Sequence, residues 1–370
     1  MKTKYRIGSI TKMFTATMIF QLIDEGKLSI ETPLIKYFPE IPNAAKISIG
    51  KMLNHSSGLH NFTADSTYGT YWTTYKSEAE MTAIFARHKS DFEPGAKSEY
   101  SNTNFVLLGY IIEKLTGKSY TEELQKRITS KIGLADTYYS ADAYISKNET
   151  YSFDYATQWT RIFPETNMSI PAGAGAIVST PADLVKFIKA LFDGKLVSLP
   201  SLELMKTMKG NYGMGMFSIP FKDENGYGHS GGMDGFSSLL IYFPKNKLAI
   251  AYTSNGARYS TNEVVSNALS IYFNQPFAIP EFKTTTLSAA EFNKYVGKYS
   301  SSQTPLRINI IEKNRTLYAQ GNGQRAIPFE AKGDNKFTCA IQGATLQFDT
   351  AKKSFSLMQG GTSHLFTKAN

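Results

Sequence analysis

At 370 residues the chain exceeds the size at which a single hydrophobic core is usual, so two domains are expected. Hydrophobic residues at 42% and charged residues at 19% describe an ordinary globular protein, with no apolar run long enough to span a membrane. The net charge of +9 is carried by scattered Lys and Arg without a run of five or six, which gives a solvated basic surface and argues against nucleic-acid binding. The one cysteine, Cys339, leaves no internal disulfide. Five histidines without CxxC, HExxH or clustered ligands point to no protein-built metal site, and no cofactor is expected.

Along the chain, Arg6-Ile7-Gly8-Ser9-Ile10-Thr11-Lys12-Met13-Phe14 opens a helix that stays apolar around most of its circumference as far as Asp24 and is therefore predicted to be buried. Ser9 is placed to N-cap it, and Lys12, three residues on, projects from the same face. Pro33, Pro39 and Pro42 mark an irregular connection. A short apolar element follows from Ile47 to Leu53, and Ser77 to His88 has helical spacing. Phe105, Leu108, Ile111, Ile112 and Leu115 predict a buried helix starting just past Asn102 and stopped by Gly117. Residues 119–132 read as a further amphipathic helix. Gly173-Ala174-Gly175 lacks the third glycine and the strand–helix setting of a nucleotide loop, so close backbone packing is expected there. Thr180, Pro181 and Asp183 signal another helix start.

From Gly226 the texture changes to strands, through His229, then Phe236 to Phe243 and Leu248 to Thr253, as in an antiparallel meander. A helix near Asn262 to Phe273 precedes a linker marked by Pro276 and Pro280. Residues 283–370 are short alternating strands, which suggest a small sandwich or up-and-down barrel as a separate domain. Cys339 is expected at a packed apolar position in it.

Three short motifs carry the chemistry: Ser9-x-x-Lys12, Tyr100-x-Asn102 and His229-x-Gly231. Each is weak alone. Ser48 and Lys51 repeat the first by chance and Tyr272 and Asn274 the second. The leading three differ because each sits at an element boundary, where a serine beside a lysine suits an activated nucleophile next to its proton acceptor. With the flanking text Leu53-Asn54-His55-Ser56-Ser57-Gly58-Leu59, Tyr100-Ser101-Asn102-Thr103-Asn104-Phe105 and Gly228-His229-Ser230-Gly231-Gly232, the chain resembles the serine β-lactamase and penicillin-binding protein superfamily. The branch is that of class C β-lactamases and D-alanyl-D-alanine carboxypeptidases. The likeness runs from about residue 4 to 275, and residues 283–370 resemble a lipocalin-like module.

The resemblance implies an α+β fold, an antiparallel sheet flanked by helices over residues 1–280, followed by a small all-β barrel over 283–370. It implies that Ser9 attacks a carbonyl to form an acyl-enzyme, with Lys12 and Tyr100 as a coupled proton acceptor. At pH 7, deprotonating an unperturbed lysine costs about 4.6 kcal/mol and an unperturbed tyrosine about 4 kcal/mol, so the two are treated as one unit. Asn102, His229, Gly231 and Gly232 are implied to bind substrate, with the N–H groups of Ser9 and Gly232 as the oxyanion hole. His55 is expected to be structural. His229 stands where β-lactamases commonly carry lysine, which favours carboxypeptidase- or esterase-like activity on a small-molecule or peptide substrate; the competing reading is a catalytically silent ligand-sensing module. Relatives carry a few dozen residues before the serine, forming a helix and two strands, whereas eight precede Ser9 here. The expectation is a truncated start, an open edge on the Leu248–Thr253 strand, and a full-length form that is periplasmic or secreted.

Overall fold

The structure, a computed structural model, describes residues 2–140, 148–155, 158–277, 279, 285, 287–322, 326–359 and 362–369. The chain divides into two compact units, Met1–Asp154 with Thr160–Gly256 and Tyr155–Trp159 with Ala257–Asn370. Pro280 and residues 281–284, where the sequence places the end of the linker and the domain boundary, lie outside the described residues. The helix expected near Asn262 runs Thr261–Tyr272 and falls in the second unit.

In the first unit, helix α1 (Thr11–Asp24) is buried from Thr11 through Leu22. Its interior lacks Gly and Pro, and its apolar side chains leave no face for water. The N-cap expectation for Ser9 is corrected: Gly8–Ile10 form a 3₁₀ turn, and Ser9 caps nothing. Gly8 starts that turn at φ +48, a left-handed conformation that glycine adopts without a Cβ penalty. The chance repeat of the motif does cap, because Ser48 Oγ accepts from Lys51 N at 3.4 Å to open the short helix α2 (Ile49–Leu53). Helix α3 (Glu78–Ala86) begins in a capping box between Ser77 and Glu80. Helix α4 (Asn102–Thr116) starts where expected and ends on Gly117 in the left-handed region.

Helix α4 packs beside α1, and the Phe14 and Phe187 rings stack at 3.7 Å between the first helix and Pro181–Phe192. The expected close packing at Gly173-Ala174-Gly175 is present. A Cβ on Gly173 would lie 2.7 Å from Phe105 O and 3.0 Å from Gly109 Cα, so the turn rests directly on the α4 backbone.

A four-stranded antiparallel sheet runs Phe217–Phe221, Glu224–Met233, Phe236–Phe243 and Leu248–Ser254 in that order. Its first strand was not foreseen, since Pro220 and the glycines before it mask the alternation. Leu248–Ser254 is the last strand in the order, at the expected edge. A smaller sheet pairs Tyr5–Arg6 and Tyr138–Tyr139 with Ile177–Ser179 and anchors the chain entering Ser9.

The second unit contains a closed barrel of eight antiparallel strands from Gly297–Ser300 to Thr362–Lys368, sealed by the pairs Tyr299 with Lys368 and Ser300 with Thr367. Inward positions such as Ile310, Leu317, Leu346, Phe355 and Phe366 fill its core, and Cys339 is among its buried residues. Among the described residues no helix is long and apolar enough to cross a membrane.

Because the atoms facing Gly173 are backbone atoms that cannot swing away, Gly173→Val is expected to lose about 1–3 kcal/mol, seen as a lowered thermal midpoint against Ala176→Gly as a comparison variant.

Candidate active site

Ser9 and Lys12 lie one turn apart at the mouth of α1. The serine hydroxyl, free of any capping duty, sits 3.0 Å from Lys12 Nζ and 2.8 Å from Tyr100 Oη. Lys12 is fully buried. Its amine has three near neighbours: Asn102 Oδ1 at 2.8 Å, Ala174 O at 2.8 Å and Ser9 Oγ. The first two are carbonyl oxygens that only accept; the third is a hydroxyl that can also donate. A neutral amine has two N–H groups and one lone pair. An ammonium would donate to all three neighbours, whereas in the neutral form both N–H groups go to the carbonyls and the lone pair faces Ser9. Burial favours the neutral form, holding the Lys12 amine well below the ordinary lysine range. No carboxylate is bonded to the amine among the described residues.

The orientation of Asn102 follows from its neighbours. The backbone N–H of Asn102 bonds Asn61 Oδ1 at 3.0 Å, which fixes that oxygen as an acceptor. Asn102 Nδ2 then faces Asn61 Oδ1 at 3.3 Å and Thr63 Oγ1 at 3.2 Å, so Oδ1 is the end turned to Lys12. Asn102, expected to bind substrate, thus also positions the lysine. Asn61 and Thr63 were missed in the sequence; they lie in the polar loop after Leu59, which carries no periodic signal.

Tyr100 donates to Ser9 Oγ, and burial pushes its phenol above the usual value despite that bond. Burial therefore separates the two proposed proton acceptors, lowering Lys12 and raising Tyr100. His55, at φ +57 and buried, accepts the Ser101 N–H on Nδ1 at 3.2 Å and packs its ring 4.6 Å from that of Tyr100. The structural reading of His55 holds, and what it supports is the tyrosine loop. Tyr212 and Phe217 were not singled out from sequence; their rings stand 6.4 and 6.2 Å from Tyr100 and line an aromatic wall with His229.

His229 is buried in the second strand of the four-stranded sheet, opposite Leu240. Its Nδ1 lies 2.5 Å from Ser230 O, an acceptor, so Nδ1 carries the proton. Nε2 is then a lone pair, buried and without a hydrogen-bond partner among the described residues. Burial first, and the Lys12 charge whenever that amine is protonated, push the ring down to about 3, so it is neutral at pH 7. Gly231 allows the closest approach at the site: a Cβ there would lie 2.0 Å from Ile7 O and 2.4 Å from Ser238 Oγ. Ser238 donates to Ile7 O at 2.9 Å, tying the strand to the residues before the serine. Gly232 N lies 2.9 Å from where a Cβ on Gly8 would stand, which brings that amide beside the Gly8–Ser9 turn. Buried Arg6 braces the same corner against Glu165 and Asp234, each at 3.4 Å.

A profile of the family described as Beta-lactamase matches residues 1–270. Penicillin-binding protein 4* of Bacillus subtilis is 26% identical, the match covering 97% of this chain and 86% of that protein. A D-stereospecific amidohydrolase from Streptomyces sp. superposes with a TM-score of 0.62 at 30% identity, over 69% of this chain and 83% of that one. An octameric penicillin-binding protein homologue from Pyrococcus abyssi covers 99% of this chain and 89% of its own at 24% identity, with a TM-score of 0.62, a likeness of fold alone. The chain belongs to the beta-lactamase family, within the serine β-lactamase and penicillin-binding protein superfamily.

Below pH 6.5 a native state that keeps His229 neutral binds fewer protons than the unfolded chain. Stability is therefore complete above that pH and falls as acid takes it toward 3, at about 1.4 kcal/mol per unit for one such ring. Thermal midpoints recorded from pH 7 to pH 4 should fall more steeply for the wild type than for His229→Gln.

Proposed function

We propose that this protein is a serine hydrolase that forms an acyl-enzyme on Ser9. The observation that carries the reading is the fully buried Lys12 amine, held by two carbonyl acceptors and 3.0 Å from Ser9 Oγ, so that its neutral form has a lone pair for the serine proton. Ser9 Oγ attacks a substrate carbonyl carbon as its proton passes to Lys12 Nζ, and the C=O π pair moves onto oxygen. The N–H groups of Ser9 and Gly232 receive that oxyanion; one such donor is worth roughly 3–4 kcal/mol. Collapse expels the leaving group, which takes a proton from the Lys12–Tyr100 pair. Water then attacks the ester in the same manner, releasing the acid and restoring the hydroxyl.

Lys12 is the acceptor and Tyr100 the relay. Starting from about 4 kcal/mol for a free phenol at pH 7, burial makes a Tyr100 phenolate costlier, whereas it makes a neutral lysine cheaper. Tyr100 supports the chemistry by donating to the serine oxygen and passing a proton to the leaving group.

His229 narrows the substrate. A neutral ring that presents a lone pair accepts from an N–H or O–H and does not attract a carboxylate. This favours esters and amides whose leaving group carries no free carboxylate, over peptides cleaved at a C-terminal acid. The likeness to a D-stereospecific amidohydrolase supports amides as a substrate class. The aromatic wall of Tyr212 and Phe217 suits an apolar substituent. The relatives named penicillin-binding proteins support a site of action outside the cytoplasm.

Incubation with a fluorescent penicillin and with a p-nitrophenyl ester tests the reading. A covalent adduct of the whole label is expected on Ser9 by mass, and ester turnover is expected to drop on the order of 10³-fold or more in Ser9→Ala. Turnover that persists in Ser9→Ala removes Ser9 as nucleophile; labelling without turnover favours a ligand sensor. The acylation rate should rise with pH and level off well below pH 10.5, where an exposed lysine would still be titrating. Between a matched peptide acid and its C-terminal amide, the amide should be the faster substrate.

A further inference from the structure

Beyond the serine site, the first unit brings together two imidazoles and two carboxylates that the hydrolase reading does not use. His60 and Asp65 lie in the loop after Leu59, His88 follows α3, and Asp91 stands three residues further on. His60 Nε2 is 2.8 Å from Asp65 Oδ1, His88 Nε2 is 3.0 Å from Asp65 Oδ2, and the two rings stack at 4.6 Å. His60 Nδ1 is 2.8 Å from Asp91 Oδ1. We propose that His60, Asp65 and His88 bind one divalent transition-metal ion of the zinc class, with Asp91 orienting His60 from behind.

Four observations carry this. One ligand atom from each of the three residues lies within 4.8 Å of the other two. Ligand atoms about a tetrahedral zinc with bonds of ~2.0–2.2 Å stand roughly 3.4 Å apart, so small side-chain rotations close the set. The Asp65 side chain is only 8% exposed, and its Oδ2 is a buried atom that makes no aligned hydrogen bond among the described residues, with His88 Nε2 3.0 Å away. An ion between this oxygen and the two rings would bond all three.

Both nitrogens of His60 face carboxylates, Nδ1 toward Asp91 and Nε2 toward Asp65, which His88 also faces. Asp91 on the far nitrogen is then the outer carboxylate that fixes the tautomer of a metal-bound histidine. Two nitrogen ligands and one oxygen suit zinc or its neighbours and not calcium or magnesium. With the His60 and His88 side chains 26% and 33% exposed, solvent reaches the open coordination position.

The site sits behind the loop that holds the serine machinery. His60 O accepts from Ser101 Oγ at 3.2 Å and from Thr103 Oγ1 at 2.5 Å, and Asn61 and Thr63 hold Asn102. A bound ion would brace that loop, a consequence that rests on the hydrolase reading; the binding itself does not.

The test is calorimetric titration of ZnCl₂ into untagged, chelator-stripped full-length protein, with the visible absorbance of Co²⁺ as a probe of its ligands. One ion per chain and a tetrahedral Co²⁺ spectrum are expected. His88→Ala, at a partly exposed position, should abolish both while keeping its circular dichroism spectrum. Asp91→Asn should weaken binding roughly 10- to 100-fold. Absence of binding to the wild type, or binding unchanged in both His88→Ala and Asp65→Asn, overturns the proposal.

Discussion

Burial of one amine among two carbonyls and a hydroxyl is the constraint on which the corner around Ser9 depends. An ammonium there would hold a third N–H against Ser9 and carry a full charge into a site with no carboxylate bonded to it. Burial favours the neutral form, whose two N–H groups and lone pair match the same three partners. The fold supplies each partner from a separate element: Ser9 from the 3₁₀ turn, Asn102 from the start of α4, and Ala174 from the turn packed on α4 through Gly173.

The same logic reaches outward in layers. Asn102 is aimed by Asn61 and Thr63, and the Tyr100 loop is held by His55 through the Ser101 amide. On the other side, Gly231 lets the strand approach Ile7, and Ser238 bonds the same carbonyl. Arg6 closes that side with a buried ionic cluster, in which Thr166 also donates to Asp234 at 2.7 Å. Buried charge of this kind adds little stability, but removing one partner leaves the others uncompensated. It fixes where the Ser9 turn begins.

Much of this was legible in the sequence, for definite reasons. A serine and lysine three residues apart at a helix start must share a face, and the α4 period with its glycine stop fixed the helix that carries Asn102. Alternating apolar side chains marked residues 283–370 as an all-β sandwich or barrel, and the strands from Gly297 to Lys368 form a closed barrel. The capping role given to Ser9 failed because Gly8 adopts a left-handed conformation and replaces the expected cap with a 3₁₀ turn. That Asn102 also holds Lys12 was not legible, because its orientation depends on Asn61, a residue in a loop without pattern. The strand Phe217–Phe221 was hidden by Pro220. The pairing of His60 with His88 had no local signal at all, since a loop and the end of a helix meet only in the folded chain.

The protonation state of Lys12 is the quantity on which the account turns. Nitrogen-15 NMR of lysine-labelled protein, with Lys12→Arg used to assign the resonance, reads it directly at pH 7.5 and 25 °C. The account predicts an Nζ signal at the shift of a neutral amine, moving to the ammonium position only as acid is added. An ammonium shift that persists up to pH 9 would contradict it.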